Sequence, residues 1–310
     1  TNYQILHISS IIDNNNLKDM KILVLGSNGL LGSYIISYAR SLPKDIFGVS
    51  RKTNPSFDFN FPNTVEDILE KVKPNVVINC VAITSFELCE KNYEEALQVN
   101  CLAPNKIAEL CTKRNIKFIH ISTDHFFNDS SSRPHKETDE VQIVNNYAKT
   151  KYLAEKKIKE HKNVLILRTS IIGRTSGGIN FLDWIINSLH SKERVGLYED
   201  AYTSFIHCNQ LSDLIFNLID KDASGFFNVG CSQVFSKAQF CLLLAKRLKI
   251  NLNYYLTQVK ELKIPRANSC GLSSNKIQKE YGITPPSLDE VVNECILEMN
   301  QKKDFYLIDK

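Results

Sequence analysis

The fold is decided by the segment Lys21-Ile22-Leu23-Val24-Leu25-Gly26-Ser27-Asn28-Gly29-Leu30-Leu31-Gly32. An apolar run of strand length ends at Gly26, and apolar residues at helical spacing begin at Leu30. After a first strand, Gly26 allows a tight turn, Gly29 lets the backbone approach a pyrophosphate, and Gly32 permits close packing of helix on strand. The start of the helix adds N–H donors and a partial positive charge. The segment therefore predicts a strand, a phosphate-binding turn and a helix that together hold a dinucleotide.

Apolar strand-like runs alternate with helical patterns in the following residues. The runs are 45–50, 76–81, 117–122 and 164–168, and the helical stretches between them include one long helix predicted over 93–114. Strands that alternate with helices indicate right-handed βαβ units. We therefore predict an α/β protein with a Rossmann-type, doubly wound parallel sheet.

The length of 310 residues suggests two domains at about 150 residues each. We expect residues 20–169 to form a Rossmann domain, joined by a returning segment near 205–232. The alternation loosens afterwards, so residues 170–204 and 233–310 are predicted to form a smaller α/β substrate-binding lobe. Residues 1–19 are interpreted as an extension or tail outside this core.

Composition excludes several classes of protein. The net charge is only +4 and the basic residues are scattered, which argues against a nucleic-acid partner. Nine cysteines without a Cys-x-x-Cys pair argue against a disulfide framework and against a zinc site, and we expect no bound metal. No window reaches the roughly 18 apolar residues of a membrane span. We predict a cytoplasmic protein that does not enter a membrane, and the sequence leaves a homodimer open.

The end of the second predicted strand bears on which dinucleotide binds. An acidic side chain there hydrogen-bonds the ribose of NAD, but this chain has Val49-Ser50-Arg51-Lys52. The guanidinium of Arg51 suits a 2′-phosphate. We expect NADPH, with NADH as the alternative if Arg51 and Lys52 are ordinary loop charges.

A proton-transfer site is predicted from Ser122-Thr123-Asp124 and Asn146-Tyr147-Ala148-Lys149-Thr150-Lys151. Tyr147 and Lys151 are four residues apart, so they share one face of a helix. An ammonium group beneath a phenol favours the phenolate, and we expect it to bring the pKa of Tyr147 down towards the operating pH. The same spacing recurs at Tyr152/Lys156 and Tyr306/Lys310. We choose Tyr147 because it begins the helix that follows the strand ending in Ser122-Thr123-Asp124.

These features resemble the extended short-chain dehydrogenases/reductases, and more narrowly the dTDP-4-dehydrorhamnose reductase family. The narrower resemblance is carried by Ser122-Thr123-Asp124-His125-Phe126-Phe127, Glu137-Thr138-Asp139, Arg168-Thr169-Ser170 and Arg266-Ala267-Asn268-Ser269. It covers most of residues 20–280, in order.

The resemblance implies a role for each matching position. Thr123 corresponds to a catalytic hydroxyl, Tyr147 to the proton donor, and Lys151 to the residue that holds the ribose hydroxyls. Asn100 corresponds to an asparagine that supports the site through a water, and Asp58, placed near the end of a third strand, to a contact of adenine. The implied cofactor set is Gly26, Gly29, Leu30, Leu31, Gly32, Arg51, Asp58, Cys80, Ala82, Tyr147 and Lys151. The implied substrate set is Thr84, Asp124, His125 and Arg266.

The chain departs from the family pattern at substrate-facing positions. His125 and Ile83 stand where the family usually has tyrosine, Ala148 replaces a glycine, Ile171 an aromatic residue, and Ala267 a proline. His125 is expected either to hydrogen-bond a sugar hydroxyl or to pack beside the site. These departures bear on which substrate binds more than on which class of reaction is catalysed.

The sequence thus favours an NADPH-dependent reductase of a 4-keto nucleotide sugar, serving polysaccharide or glycoconjugate synthesis, with Arg266 on the substrate diphosphate. Two alternatives stay open. One is an epimerase or dehydratase of the same superfamily that retains NAD. The other is a non-catalytic NADP-binding subunit like the regulatory partner of methionine adenosyltransferase.

Overall fold

The computed structural model describes residues 20–53, 58–59, 63–175, 180–191 and 193–301. The strands are β1 Lys21–Leu25, β2 Asp45–Val49, β3 Val76–Asn79, β4 Lys117–Ile121, β5 Val164–Thr169, β6 Ile171–Ile172, β7 Val195–Tyr198, β8 Tyr202–Thr203, β9 Ile206–His207, β10 Gly225–Val229, β11 Phe235–Ser236, β12 Tyr254–Thr257 and β13 Ser269–Cys270. The helices are α1 Leu30–Ala39, α2 Asn63–Val72, α3 Phe86–Lys91, α4 Tyr93–Leu97, α5 Ala103–Lys113, α6 Asn146–Ile158, α7 Phe181–His190, α8 Cys208–Asp220, α9 Lys237–Leu248, α10 Asn275–Tyr281 and α11 Leu288–Gln301, with a π-helical turn Gln98–Leu102 and a 3-10 turn Val259–Glu261.

Six parallel strands form the central sheet, in the order β10-β5-β4-β3-β1-β2. The chain leaves β1 to one side for β2 and returns to its other side for β3, so the strand order reverses at β1. A crevice opens at such a reversal, outside the carboxyl ends of the strands. The predicted Rossmann-type, doubly wound α/β fold is confirmed.

Helices cover both faces of this sheet, which explains why four consecutive residues of β1, Ile22 to Leu25, are apolar and buried. Successive strand side chains point to opposite faces. Ile22 and Val24 therefore pack in the core beneath α1 and α8, whereas Leu23 and Leu25 pack in the core beneath α2, α5 and α6. A strand buried on both faces needs an apolar residue at every position.

The long helix predicted over 93–114 is wrong in one respect, because the π-helical turn interrupts it. Pro104 lies in the first turn of α5 and has no backbone N–H to give to the carbonyl of Asn100. The N–H of Ala103 instead bonds to the carbonyl of Gln98, five residues back. Single π turns of this kind are frequent at functional sites, and this one carries Asn100.

The second half of the described chain builds a separate apolar core from α7, α9 and α11 with β7 and β11. β10 returns from this half to pair with β5 in the central sheet. The predicted boundaries of the two domains stay a prediction. Within the described residues, no helix is both long and apolar enough to cross a membrane.

Candidate active site

The glycine turn forms as its sequence requires. Gly26 has a φ of +84°, and its N–H and that of Ser27 donate to the carbonyl of Val49 at 2.8 and 3.2 Å. A Cβ on Gly32 would stand 2.2 Å from the carbonyl oxygen of Gly26, so only glycine fits where α1 passes the turn. Gly29 precedes α1 and has no side chain to cap it, which leaves the first N–H groups of the helix for an anion.

Arg51 follows β2, beside the glycine turn. Its side chain is exposed, in a turn where the hydroxyl of Thr53 accepts from the N–H of Ser50 at 2.7 Å. The described part of this turn contains no carboxylate. The expected position of Asp58 near the end of a third strand is wrong, because Asp58 lies in the connection between β2 and α2, before β3 begins.

A cleft of about 590 Å³ opens at the carboxyl edge of the sheet, between it and the second half of the chain. Pockets of this size hold cofactors and small substrates. Of the predicted site residues, those lining the cleft are Gly29, Leu30, Leu31, Cys80, Ala82, Thr84, Thr123, Asp124, His125, Tyr147, Lys151 and Arg266. Those outside its lining are Gly26, Gly32, Arg51, Asp58 and Asn100.

Tyr147 stands in the first turn of α6, where the side chain of Asn145 caps the helix by accepting from the N–H of Ala148 at 2.9 Å. Its ring meets the edge of Phe86 with 5.3 Å between centroids. Burial raises the pKa of Tyr147, and a hydrogen bond with Thr123 offsets only part of that increase. The expectation that this pKa falls is therefore wrong here, because loss of water disfavours the phenolate more than nearby groups favour it. Tyr147 holds its proton and can donate it.

Lys151 lies one turn further along α6, inside the protein. Its Nζ donates to the carbonyl of Ile121 at 2.8 Å and lies 3.3 Å from Nε2 of His120. Burial lowers the pKa of Lys151 to about 8, against a smaller opposing effect of the Glu155 charge. Lys151 thus exchanges a proton near neutral pH.

Asn100 is buried and makes three hydrogen bonds to two residues. Its Oδ1 accepts from the N–H of Ile83 at 2.8 Å, and its Nδ2 donates to the carbonyl of Ile83 at 3.0 Å and to the hydroxyl of Thr150 at 3.1 Å. The hydroxyl of Thr150 in turn donates to the carbonyl of Tyr147 at 2.8 Å. Asn100 therefore fixes the loop after β3 against the helix that carries Tyr147.

Asp124 and Lys237 both line the cleft. Burial raises the pKa of Asp124 to about 6, although a hydrogen bond with Ser170 and the charge of Lys237 lower it. Burial also lowers the pKa of Lys237, which stands 5.3 Å from the ring centroid of Phe181. The sequence did not reveal Lys237, because it belongs to no motif and reaches the cleft only through the packing of α9.

His125 packs beside the site rather than offering a free ring nitrogen. Its Nε2 accepts from the N–H of Ala267 at 3.0 Å, and its Nδ1 lies 3.7 Å from the sulfur of Cys270. Burial, with the charges of Lys237 and Arg266, lowers the pKa of His125 to about 3, so the ring is neutral. Both nitrogens have protein partners, which favours the packing alternative.

Arg266 reaches the cleft over the face of Phe86, with 4.5 Å from the guanidinium carbon to the ring centroid. Its Nη2 is 3.7 Å from a carboxylate oxygen of Glu87. Its Nε is buried and has no hydrogen-bond partner among the described residues. A donor in that position suits an anionic ligand. No cluster of three or more potential metal ligands occurs in the described part of the chain.

Comparison with known proteins identifies the family of this chain. Residues 20–301 match the family model described as RmlD substrate binding domain. The probable low-salt glycan biosynthesis reductase Agl14 of Haloferax volcanii is 27% identical over 287 residues, which cover 87% of this chain and 95% of that protein.

Solved structures give the same fold. A dTDP-4-dehydrorhamnose reductase from Clostridium acetobutylicum aligns with a TM-score of 0.83 at 25% identity, covering 91% of this chain and 100% of that one. The dTDP-4-dehydrorhamnose reductase of Bacillus anthracis, solved in complex with NADP, aligns with a TM-score of 0.84 at 22% identity, covering 90% of this chain and 99% of that one.

Proposed function

This chain belongs to the family described as RmlD substrate binding domain, and on that premise we propose that it is an NADPH-dependent reductase of a 4-keto nucleotide sugar, serving polysaccharide or glycoconjugate synthesis. The observation that carries the proposal is the meeting of Thr123, Tyr147 and Lys151 with the start of α1 in one cleft. The glycan biosynthesis reductase of Haloferax volcanii, similar over nearly its whole length, supports this class of reaction.

The residues of the chain supply the proton and the orientation. When bound, the nicotinamide supplies a hydride to the keto carbon. The carbonyl oxygen then carries the developing negative charge, and Tyr147 donates its phenolic proton to that oxygen. The hydroxyl of Thr123, hydrogen-bonded with Tyr147, is placed to stabilise the same charge. Lys151 would hold the ribose of the cofactor, and its pKa, lowered to about 8, would suit proton exchange near neutral pH.

The residues at the carboxyl edge fit NADPH. The N–H groups at the start of α1 would bind the pyrophosphate, and Arg51 would pair with the 2′-phosphate. Cys80 and Ala82 would lie against the bound cofactor, since both line the cleft after β3. NADP is the cofactor in the Bacillus anthracis structure. NADH remains the alternative, and the assay below separates the two.

The substrate would bind on the side of the cleft that the second half of the chain forms. The Nε of Arg266 is buried and has no hydrogen-bond partner in the part of the chain that the structure describes, and it would bind the diphosphate. Asp124 and Thr84, which line the cleft, would hydrogen-bond the sugar, and Lys237 would add a second positive charge. Exclusion of water by these groups would strengthen each polar contact.

A cytoplasmic location and a homodimer are further proposals. All nine cysteines are free thiols, which suits a reducing compartment. Fractionation of cells of the source organism and light scattering of the purified protein test the two separately.

The test is consumption of NADPH and NADH by the purified protein against a panel of 4-keto nucleotide sugars, beginning with dTDP-4-dehydrorhamnose. Turnover with NADPH on one member would support the proposal and name the substrate. Tyr147→Phe should abolish turnover and leave NADPH binding nearly intact. Tight NAD retained through purification would favour an epimerase or dehydratase, and a stoichiometric partner without turnover would favour a regulatory subunit.

A further inference from the structure

A chain of buried polar groups runs beneath Lys151 and lies outside the machinery described above. Asn79 ends β3 and His120 lies on β4, and both side chains are essentially inaccessible to water, with 1% and 0% exposed. Nδ2 of Asn79 is 3.1 Å from Nδ1 of His120, and Nε2 of His120 is 3.3 Å from Nζ of Lys151. The imidazole thus bridges the end of one strand to the lysine.

The direction of these side-chain hydrogen bonds follows from the backbone N–H of Val81. The N–H of Val81 can only donate, and it donates to Oδ1 of Asn79 at 3.0 Å. The amide therefore turns its Nδ2, which is also a donor, towards Nδ1 of His120. Nδ1 must accept this hydrogen bond. His120 is neutral, because burial and the charge of Lys151 lower its pKa well below the ordinary value. A neutral imidazole that accepts at Nδ1 carries its proton on Nε2.

The Nε2–H of His120 then points at Nζ of Lys151. A neutral amine can accept this hydrogen bond, whereas an ammonium group offers it only another donor. The carbonyl of Ile121 satisfies one N–H of Lys151 in either state. We propose that Asn79 and His120 are positioning residues whose fixed hydrogen-bond direction favours the uncharged amine of Lys151.

Burial of Lys151 favours the uncharged amine as well, whereas the three titratable side chains around it favour the ammonium. Burial lowers its pKa most, and Glu155 on its own helix, Cys80 after β3 and Cys101 in the π-helical turn raise it. Glu155 is engaged by Arg168 at 2.7 Å, which weakens its pull. Burial raises the pKa of both Cys80 and Cys101, so neither thiol is charged at neutral pH. Two groups of β4 contact Nζ of Lys151. The carbonyl of Ile121 accepts from the amine and from the ammonium alike, so the contact with His120 is the one that distinguishes the two states.

The consequence for catalysis rests on the proposed function. A proton-transfer group works best when its pKa lies near the operating pH, since it then gives and takes protons with similar ease. An ordinary lysine titrates at about 10.4. A contact that favours the amine brings the pKa of Lys151 towards neutral pH. Its ammonium form can then return to the Tyr147 phenolate the proton that the phenol gives to each substrate, and the resulting amine takes up another proton from water.

The tautomer of His120 is measured directly by two-dimensional 15N NMR of the full-length protein labelled at histidine. The chain has 7 histidines, and the His120 signals are assigned by their loss in His120→Gln. We expect the pattern of an Nε2–H tautomer at pH 7. An Nδ1–H tautomer or a charged ring would overturn the proposal. The measurement needs neither substrate nor turnover, so a failure of the proposed reductase function would leave it unaffected.

Asn79→Asp should reverse the direction of the hydrogen bonds between residue 79, His120 and Lys151, and it keeps the size of the side chain. One carboxylate oxygen would still accept from the N–H of Val81, and the other would accept from Nδ1–H of His120. The tautomer should therefore switch to Nδ1–H, and Nε2 should accept from the Lys151 ammonium. In a 13C NMR titration of labelled lysines, assigned by Lys151→Met, the midpoint of Lys151 should rise by about one unit or more. An unchanged tautomer in the folded variant would refute the inference, and the wild-type measurement decides the matter if the variant does not fold.

Discussion

Replacing Arg168 with methionine should destabilise the protein strongly, because Arg168 neutralises a carboxylate inside the Rossmann core. Nη2 of Arg168 donates to Oε2 of Glu155 at 2.7 Å, and Nε donates to Oε1 at 3.0 Å. Only 3% and 5% of the two side chains are exposed. The guanidinium also lies over the ring of Phe226, with 4.5 Å to the centroid. In Arg168→Met the charge of Glu155 is left buried with the hydroxyl of Ser122 as its remaining side-chain partner.

Breaking a buried pair by removing one partner costs about 3–5 kcal/mol. That is a large share of the roughly 5–15 kcal/mol that stabilises an ordinary protein. The double variant Arg168→Met/Glu155→Gln is the matched control. It removes the charge, and the glutamine oxygen can still accept from Ser122, so it should recover most of the loss.

Urea unfolding followed by circular dichroism measures the free energy of unfolding of the three proteins. The order of stability should be wild type, double variant, single variant. The reasoning is refuted if Arg168→Met costs less than about 1 kcal/mol, or if the double variant is no more stable than the single one.

Three further perturbations have expected outcomes. Gly32→Ala places a Cβ 2.2 Å from the carbonyl oxygen of Gly26, so NADPH affinity measured by fluorescence should fall about 5- to 150-fold, and wild-type affinity would contradict the packing argument. Arg51→Ser should raise the KM for NADPH at least about tenfold and change that for NADH little; equal changes would argue against a contact with the 2′-phosphate. Asp124 has a folded pKa raised to about 6 from 3.8, so its contribution to stability is present below about pH 4 and is lost as the pH rises through 6. Asp124→Asn should abolish that part of the pH dependence in thermal unfolding, and an unchanged profile would exclude Asp124 as its source.

Local pattern was enough to predict the sheet and the glycine turn. The apolar run of β1 is buried on both faces, and the sequence expresses this directly because every one of its side chains needs an apolar neighbour. Gly26, Gly29 and Gly32 are equally local, since their turn and the helix it begins lie within a few residues. The spacing of Tyr147 and Lys151 likewise placed both on one face of α6.

Tertiary packing decided the properties that depend on distant residues. The expected fall in the pKa of Tyr147 was wrong because burial, which spacing along a helix does not report, raises this pKa, the Asp124 charge adds to the increase, and the hydrogen bond with Thr123 offsets only part of it. The ring of His125 is engaged by Ala267 and Cys270, more than 140 residues away, so its packing role emerged only from the fold.

The sequence by itself thus determined the alternation of strands and helices that builds a doubly wound parallel sheet and the residue types that follow its first strands. Only the tertiary structure decided which second-half residues close over it, as Lys237 and Arg266 do, and in which direction the hydrogen bonds beneath Lys151 run. The physical reason is the distance along the chain over which each effect acts. Backbone geometry and side-chain periodicity act over a few residues, whereas desolvation and hydrogen-bond direction depend on every element packed around a group.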